Sequence, residues 1–495
     1  MDSREYFRQF ADAQEFERIV EKPTVSAMWR DCVAEFSDKI AIMYKGEGYT
    51  YAQLESDAAG FRTILGSVKE GGRVGILSAN SYDFVKAYLA VVTTGRTAVI
   101  LPAHLDQRSV FGCSMMFALD AVVYQPELKD SVSLVKAPLI DITATSDDKT
   151  EMTDCDEKTP CVMMFTGGTT GKSKCALLSN GAVMQGTVNG CYGISPVFGQ
   201  RYMLVLPLSH VFGLIRNLMT SLYTGSTMWI CTNNKDMFRD VQAFKPTVLV
   251  FVPALAEMSL SLSKQFGRNM LGEDLKYIIC GAAAVPLYLI EEYDKIGVNL
   301  LQGYGLTETA NLVSGNPESL KYPDSIGFPY PNQEFKIVDG ELWIRGKNMM
   351  DGYVGGDESG FDEDGWFHTG DLVSIDEKGM LRITGRIKEI IVLSNGENVS
   401  PAELEARFNT LPFIQDSQVF EDVTENGKHI LALEVVPRQT VLSKMNLENP
   451  KEYIISELEK LNLTLPSFER VNRIEVRDSD FERTPSMKIA RYKKC

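Results

Sequence analysis

The sequence predicts an α/β protein with a large N-terminal domain of helix-covered sheets plus a β-subdomain, and a small mobile α+β C-terminal domain. Strand-like and helical patterns alternate along the first part of the 495-residue chain, which is typical of parallel sheets covered by helices. After Asp324 the pattern changes to short strands, turns and Gly-rich bends, as far as Thr384. The residues beyond Gly385-Arg386-Ile387-Lys388 suffice for one small domain. We therefore predict domains over residues 1–385 and 386–495.

Apolar periodicity predicts the elements of the N-terminal part in order. Helices are predicted over 24–36, 51–65 and 81–92, and strands over 40–44, 49–51, 73–77 and 98–101. The first two strands form a hairpin around Lys45-Gly46-Glu47-Gly48. Further strands are predicted over 161–165, 202–207, 227–231, 247–252 and 277–280, with a helix over 212–222.

The last of these strands ends at Gly281-Ala282-Ala283-Ala284. Small residues there let a ligand approach the backbone, and open α/β sheets bind ligands at the carboxyl edge. Tight packing of helix against sheet would select the same residues, so both interpretations stay open. In the C-terminal domain, Ser394-Asn395-Gly396-Glu397 is a hairpin signal between strands, and Ser400-Pro401-Ala402-Glu403 is a capping box that begins a helix.

Composition excludes several classes of function. The net charge of −16 and the pI of about 4.9 argue against nucleic acid or an anionic membrane surface as a partner. Nine cysteines without a CxxC pair argue against a disulfide framework or a structural zinc site and favour a reducing cytosol. The polar N-terminus is unlike a signal peptide, and no run of 18 apolar residues predicts an integral membrane segment. A cytoplasmic protein is expected.

The most informative stretch is Thr166-Gly167-Gly168-Thr169-Thr170-Gly171-Lys172-Ser173-Lys174. Glycines let backbone N–H groups turn toward an anion, and hydroxyls and lysines add donors and charge, so we predict a phosphate-binding loop. A Walker A loop would need glycine at position 166, where the chain has Thr166. A phosphate loop of another kind fits better, and a P-loop-type ATPase stays as an alternative.

Other stretches suit the remaining parts of a nucleotide. Tyr304 stands between two glycines, which suits stacking on a purine, and Glu308 is a hard oxygen ligand for Mg²⁺ held mainly by substrate phosphates. Asp371, held in a tight turn, could accept bonds from ribose hydroxyls, and the fork of Arg386 could grip a phosphate or ribose. Lys488 lies in a basic tail, where a solvated lysine is the ordinary interpretation.

In this order, the stretches resemble the motifs of the adenylate-forming (AMP-binding) superfamily of acyl- and aryl-CoA ligases, luciferases and peptide-synthetase adenylation domains. The loop resembles T-S-G-T-T-G-x-P-K, with Gly167 for serine and Ser173 for proline. The segment Tyr304-Gly305-Leu306-Thr307-Glu308 matches Y-G-x-T-E without change. The remaining similarities are Leu208-Ser209-His210-Val211-Phe212-Gly213 to H-x-x-G, Gly370-Asp371, Gly385-Arg386, and the tail over 485–491, which has Met487 where glycine is common.

The resemblance implies acyl-AMP formation from a carboxylic acid and ATP, then thioester formation with a thiol, with ATP, Mg²⁺ and CoA as the small molecules. The implied catalytic residues are Lys488, His210, Thr307 and Glu308, with Glu308 as the metal ligand. The implied nucleotide-binding residues are Thr166, Gly167, Gly168, Thr169, Thr170, Gly171, Lys174, Gly281, Ala282, Ala283, Gln302, Gly303, Tyr304, Gly305, Thr307, Asp371, Ile383, Arg386 and Lys488. Lys388 takes the hinge position of a domain alternation, and His210 lines the acyl channel.

The region after residue 207 has no carboxylate that could pair with an amino group, and a buried unpaired ammonium is costly, which disfavours amino acids as substrates. The segment over 391–401 resembles the fatty acyl-CoA ligase branch. We therefore expect a fatty or other apolar acid, with CoA as acceptor and a role in fatty acid metabolism. An aryl acid, or the phosphopantetheine of an acyl or peptidyl carrier protein, stays open.

Overall fold

A computed structural model of the chain describes residues 2–166, 174–355, 360–392, 398–424, 429–445, 447–483, 489 and 491. The chain forms two compact units. One unit is Met1–Glu334 with Arg345–Gly365, and the other is Phe335–Ile344 with Trp366–Cys495. The β-subdomain after residue 365 thus groups with the C-terminal residues. The predicted functional boundary at Arg386 stays a prediction.

Strands of the described chain are numbered in chain order. They are β1 (Ile40–Tyr44), β2 (Glu47–Thr50), β3 (Arg73–Leu77), β4 (Thr97–Leu101), β5 (Ala121–Tyr124), β6 (Leu139–Asp141), β7 (Pro160–Phe165), β8 (Cys175–Ser179), β9 (Arg201–Leu204), β10 (Thr227–Ile230), β11 (Val248–Phe251), β12 (Tyr277–Cys280), β13 (Asn299–Tyr304), β14 (Ser314–Asn316), β15 (Phe328–Pro329), β16 (Gln333–Val338), β17 (Glu341–Gly346), β18 (Gly352–Val354), β19 (Phe367–Ile375), β20 (Leu381–Arg386), β21 (Ile391–Val392), β22 (Asn398–Val399), β23 (Ile414–Val423), β24 (His429–Pro437) and β25 (Arg473–Val476).

Helices are numbered in the same way. The α-helices are α1 (Ser3–Arg8), α2 (Ala13–Arg18), α3 (Val25–Phe36), α4 (Tyr51–Ile64), α5 (Tyr82–Val92), α6 (Gln107–Met116), α7 (Asn180–Asn189), α8 (Thr220–Tyr223), α9 (Met237–Phe244), α10 (Pro253–Phe266), α11 (Leu287–Asp294), α12 (Pro401–Phe408), α13 (Gln439–Leu442) and α14 (Pro450–Thr464). A π-helix covers Phe212–Met219, and short 3₁₀ turns cover Leu65–Ser67, Pro126–Val132, Asn234–Asp236, Thr307–Thr309 and Ile387–Glu389.

Two large sheets build the first unit. One has seven strands in the order β18-β8-β7-β4-β3-β5-β6, and the other has nine in the order β15-β14-β13-β12-β11-β9-β10-β1-β2. Their central strands are parallel, and antiparallel pairs stand toward the edges, at β1–β2, β7–β8, β8–β18, β13–β14 and β14–β15. Strands such as β4 and β11 are buried along their whole length, as expected for parallel strands covered on both faces. The predicted α/β class is confirmed.

The predicted elements of the N-terminal part are present with small shifts at their ends. Local side-chain bonds fix these ends: Thr24 caps α3 at Ala27 N (3.1 Å), and Ser81 caps α5 at Phe84 N (3.0 Å). The first hairpin turns on Lys45 and Gly46 alone, both of which have positive φ, so its loop is shorter than the four residues predicted.

The second unit contains a four-stranded sheet, β16-β17-β19-β20, and a three-stranded sheet, β23-β24-β25, with α12 and α14. The predicted helix after Ser400 is α12, and the Ser400 side chain accepts a bond from Glu403 N at 3.5 Å. Strands β21 and β22 pair as predicted, whereas the turn residues Asn395 and Gly396 lie outside the described residues. Among the residues described, no helix is long and apolar enough to cross a membrane.

Candidate active site

The phosphate-loop segment connects two antiparallel strands. Phe165 at the end of β7 pairs with Cys175 at the start of β8, and Thr166 N donates to Lys174 O at 2.9 Å. The loop residues Gly167, Gly168, Thr169, Thr170 and Gly171 lie outside the described residues. A P-loop leads from a strand directly into a helix, but here the segment leads into a strand. The alternative of a P-loop-type ATPase is therefore wrong on architecture.

Glu308 lies beside the end of this loop segment through Tyr353. The Tyr353 hydroxyl donates to Glu308 Oε1 at 2.7 Å, and the Lys174 Nζ atom lies 4.9 Å from the centroid of the same ring. Strand β18 carries Tyr353 and pairs with β8, with Tyr353 opposite Ala176. Glu308, the predicted metal ligand, and Lys174, the last lysine of the loop, thus both contact Tyr353.

Sequence reasoning missed Tyr353. It belongs to a three-residue edge strand, which lies 45 residues after Glu308 and pairs with β8 across a separation of more than 170 residues. Periodicity describes local order and cannot indicate such a pairing. The sequence does place a glycine directly before it, Gly352, and the structure gives that residue a φ of +139°, which favours glycine.

The segment Tyr304 to Glu308 turns sharply after β13. A Cβ on Gly305 would lie 1.1 Å from Asn311 O, so only glycine fits that position. Thr307 begins a 3₁₀ turn, and Thr309 closes it by accepting from Leu306 N at 3.0 Å. Tyr304 is 8% exposed, so its ring is less accessible than predicted for a residue that stacks on a purine.

The small residues after β12 lie against β13. A Cβ on Gly281 would lie 2.7 Å from Gly303 O, which is why the two backbones can approach so closely. Ala282 has a φ of +66°, and Ala283 is exposed. Gln302 donates its side-chain amide to Pro323 O at 2.8 Å, and its backbone N–H donates to Ser319 Oγ at 3.0 Å.

His210 stands immediately before the π-helix. Its ring Nδ1 accepts a bond from Phe212 N at 3.2 Å, which fixes the direction of the imidazole. The Phe212 ring in turn lies 3.6 Å from the position that a Cβ on Gly281 would occupy. Phe212 therefore lies next to both the predicted acyl-channel histidine and Gly281, one of the predicted nucleotide-binding residues.

In the second unit, Asp371 and Arg386 stand opposite each other on β19 and β20 and form an ion pair, Nε to Oδ1 at 2.5 Å. Asp371 is buried and lies within a strand, so the prediction of a tight turn is wrong in this detail. The turn-like feature is the preceding Gly370, which has a φ of +70°. Ile383 on β20 and Lys388 beyond it are exposed.

Lys488 lies outside the described residues. The chain just beyond it is anchored, because Ile489 forms an antiparallel bridge with Arg483. Arg491 then binds Glu405 on α12, Nη2 to Oε2 at 2.6 Å, and Glu389, Nε to Oε2 at 3.2 Å. These contacts tie the tail that carries Lys488 to α12 and to the turn that carries Lys388.

The two charges of this tail anchor influence each other. Burial raises the pKa of Glu405, and the Arg491 guanidinium acts in the opposite direction. Burial lowers and Glu405 raises the pKa of Arg491, and the net direction is upward. The arginine side chain therefore stays a cation bound to a largely buried carboxyl group.

Comparison with known proteins gives a consistent result. Residues 29–354 match the family model described as AMP-binding enzyme, and residues 388–494 match the model of the AMP-binding enzyme C-terminal domain. The chain is 29% identical to 4-coumarate–CoA ligase-like 6 of Arabidopsis thaliana, over 82% of this chain and 79% of that one. It is 28% identical to a long-chain-fatty-acid–CoA ligase of Escherichia coli O157:H7, over 79% and 81%.

Solved structures agree at the level of the fold. ATP-bound MatB from Rhodopseudomonas palustris superposes with a TM-score of 0.81 at 23% identity, covering 93% of this chain and 96% of that one. The chain is a member of the AMP-binding enzyme family, that is, of the adenylate-forming superfamily. Within it, the chain belongs to the acyl-CoA synthetase branch, a ligase class whose ATP, Mg²⁺ and CoA are those predicted from the sequence.

Proposed function

We propose that this protein activates a carboxylic acid in two steps. An oxygen of the acid attacks the α-phosphorus of ATP, the bond to the bridging oxygen breaks, and pyrophosphate leaves. The CoA sulfur then attacks the acyl carbon of the acyl-AMP, AMP leaves, and the thiol proton passes to solvent. The observation that carries the proposal is the junction of Glu308, Tyr353 and Lys174 beside the loop segment.

The residues of the first unit suit the triphosphate. Lys174 and the N–H groups of the loop would bind the β- and γ-phosphates, and Thr307 the α-phosphate. Tyr304 would stack on adenine. Preorganised donors of this kind stabilise charge that develops on the phosphates during transfer. Lys488 would bind the attacking carboxylate and the α-phosphate.

Glu308 suits a magnesium ion. Its carboxylate is half-buried, is oriented by Tyr353, and forms no ion pair with any described lysine or arginine. The described residues contain no group of three His, Cys, Asp or Glu side chains that could hold a metal by themselves. One carboxylate combined with substrate phosphates is the usual set for Mg²⁺. When bound, Mg²⁺ would neutralise phosphate charge as pyrophosphate leaves.

The second unit would supply the ribose contacts and the switch between steps. Asp371 would accept bonds from the ribose hydroxyls, and Arg386, which already holds that carboxylate, would assist there. Ile383 would contact the nucleotide beside them. Lys388 would act as the hinge of a domain alternation between the two half-reactions.

The proposed acid is a fatty or other apolar acid. The support is the wholly buried π-helix after His210, whose residues are mostly apolar, and the similarity to a long-chain-fatty-acid–CoA ligase. An aryl acid is the second candidate, because the similarity to 4-coumarate–CoA ligase-like 6 is equally strong. CoA is the proposed acceptor, with a carrier-protein phosphopantetheine as the alternative. The described cysteines are unpaired thiols, which supports a cytosolic location.

Acid-dependent exchange of labelled pyrophosphate into ATP tests the first step directly, because only reversible adenylation returns label to ATP. We expect exchange with selected acids, none without acid, and none after Mg²⁺ is removed with a chelator. Exchange that proceeds equally well without acid would contradict the proposal.

Lys488→Ala separates the two half-reactions. We expect adenylation to fall by at least about 100-fold, because a preorganised charge is lost, while thioester formation from supplied acyl-AMP is retained. Both rates are measured on the same preparation. Equal losses in the two half-reactions would refute the role of Lys488.

A further inference from the structure

Arg216 is a buried cation without a counter-charge. It lies in the π-helix Phe212–Met219 and is 2% exposed. No described residue forms an ion pair with it, and its Nη1 atom is completely enclosed without an acceptor within 3.5 Å. The side chain that interacts with it is the neutral hydroxyl of Tyr202. Burying a charge without a partner is strongly unfavourable, so the folded chain holds this group at a cost.

The other fully buried arginine shows the ordinary arrangement. Arg62 pairs with Glu55 and also donates to Thr150 O at 2.7 Å and to Thr93 Oγ1 at 3.1 Å. The chain therefore satisfies a buried guanidinium where its role is structural. The missing counter-charge of Arg216 needs a different explanation.

The titratable groups whose pKa Arg216 influences are phenols and a thiol. Its charge acts on Tyr202, Tyr330 and Cys191, where it opposes the rise in pKa that burial causes. The buried Tyr202 hydroxyl interacts with the guanidinium as a neutral group and brings no negative charge to it. Phenols and thiols that burial keeps protonated cannot neutralise a guanidinium, so the counter-charge must come from elsewhere.

The helix that carries Arg216 is the one that lines the proposed acid site. It begins right after His210, and the Phe212 ring packs 3.6 Å from the Cβ position of Gly281. Arg216 follows Phe212 by four positions in the same π-helix, which is about one turn further along it. A second buried donor without an acceptor, Asn311 Nδ2, belongs to the segment that packs on Gly305.

We propose that Arg216 binds a second carboxylate at the far end of the acid, so that the substrate is a dicarboxylic acid with an apolar body. This inference rests on the proposed adenylation function, and it replaces the methyl-ended fatty acid named there by an apolar acid with a carboxylate at each end. A carboxylate matches the planar donor fork of arginine and would supply the missing charge. A methyl-ended fatty acid would leave the guanidinium unpaired, and an ammonium-ended acid would be repelled.

The test uses acids in matched pairs that differ only at the far end: adipate against hexanoate, suberate against octanoate, and terephthalate against 4-methylbenzoate. Pyrophosphate release with ATP and Mg²⁺ gives kcat/KM for each. We expect the dicarboxylate of at least one pair to be preferred by about 100-fold or more, because a site built for a polar group rejects the analogue that lacks it.

Two variants assign the preference to this residue. Arg216→Met keeps a similar length without charge and should reverse the preference within that pair. Arg216→Lys keeps the charge and should retain most of the preference for the dicarboxylate. Thermal unfolding of unliganded Arg216→Met should be unchanged or shifted upward, because an unpaired charge has been removed.

The outcomes are distinct. A wild-type enzyme that prefers the methyl-ended acid in every pair overturns the inference, whether or not the variants fold. A preference for the dicarboxylate that survives Arg216→Met overturns the inference as well. An Arg216→Met variant whose kcat/KM falls equally for both acids of a pair, with a lower Tm, would also overturn it, because that result indicates a structural role. Release of pyrophosphate in the absence of any acid would instead contradict the proposed function.

Discussion

At the scale of single residues, the turn after β13 depends on one atom. The carbonyl of Asn311 occupies the space that any side chain at Gly305 would need, since a Cβ there would lie 1.1 Å from it. The turn also presents Thr307 and Glu308, whose proposed roles need positions accurate to a fraction of an ångström. Backbone packing and chemistry are thus linked at this glycine.

Gly305→Ala should lower both stability and adenylation. Overpacking of this kind costs about 1–3 kcal/mol, and the displaced backbone would carry Thr307 and Glu308 with it. Thermal unfolding and pyrophosphate exchange measure the two effects. Gly112→Ala in α6 is the matched control, because a Cβ there meets nothing within 4 Å; it should leave adenylation unchanged and raise stability by up to about 1 kcal/mol, since alanine is the better helix former. Full activity in Gly305→Ala would show that the turn is more tolerant than its geometry implies.

Tyr353→Phe should raise the Mg²⁺ concentration needed for half-maximal adenylation by about 10- to 100-fold, the usual effect of losing a group that orients a metal ligand. The ring beside Lys174 is kept, whereas the bond to Glu308 is lost. Tyr49→Phe is the control, since it removes a bond of 2.8 Å to Glu47 far along the chain. An unchanged Mg²⁺ dependence would remove Tyr353 from the proposed mechanism.

At the scale of elements, the tail that carries Lys488 is held by its own ion pairs. Arg491 reaches both Glu405 on α12 and Glu389 in the turn of Lys388. Lys488 lies only three positions before Arg491. Loss of the Arg491 ion pairs would therefore leave the position of Lys488 less fixed. Order in the tail and chemistry at Lys488 are therefore coupled.

Arg491→Met should slow adenylation by up to about 100-fold while sparing thioester formation from supplied acyl-AMP, since misplacement by about 1 Å can cost that much. Arg477→Met is the matched control, because it breaks an ion pair to Glu434 in the same unit but leaves the tail anchored. A control that slows adenylation as much as Arg491→Met would indicate general loss of folding instead of a tail effect.

The sequence predicts those elements that are determined by residues next to them in the chain. Helices α3, α5 and α12 were predicted because their caps, Thr24, Ser81 and Ser400, lie beside them in the chain. The edge strand β18 was not, because its pairing with β8 is set by distant residues. The unpaired state of Arg216 likewise could not be foreseen, since an arginine in a helix gives no sign of what surrounds it.

At the scale of the whole molecule, the proposed alternation depends on a short turn. Lys388 stands in Ile387–Glu389, between β20 and the C-terminal elements, and is exposed. A residue that must change its backbone dihedrals between two steps should tolerate side-chain loss but not a fixed φ. This contrast gives the hinge hypothesis a direct test.

Lys388→Pro should retain adenylation and lose most thioester formation, because the second step requires the turn to rearrange. Lys388→Ala removes the side chain without restricting φ and should keep both steps. Single-turnover measurements of each half-reaction distinguish them. Normal overall turnover in Lys388→Pro would remove the hinge hypothesis.

The most direct measurement of the central claim is nucleotide product analysis with ATP, Mg²⁺ and a panel of carboxylic acids, with and without CoA. We expect AMP and pyrophosphate with particular acids, and continued turnover only when CoA is present. The formation of ADP and phosphate, or release of product that is indifferent to the acid, would contradict the assignment of this protein as an acid–CoA ligase.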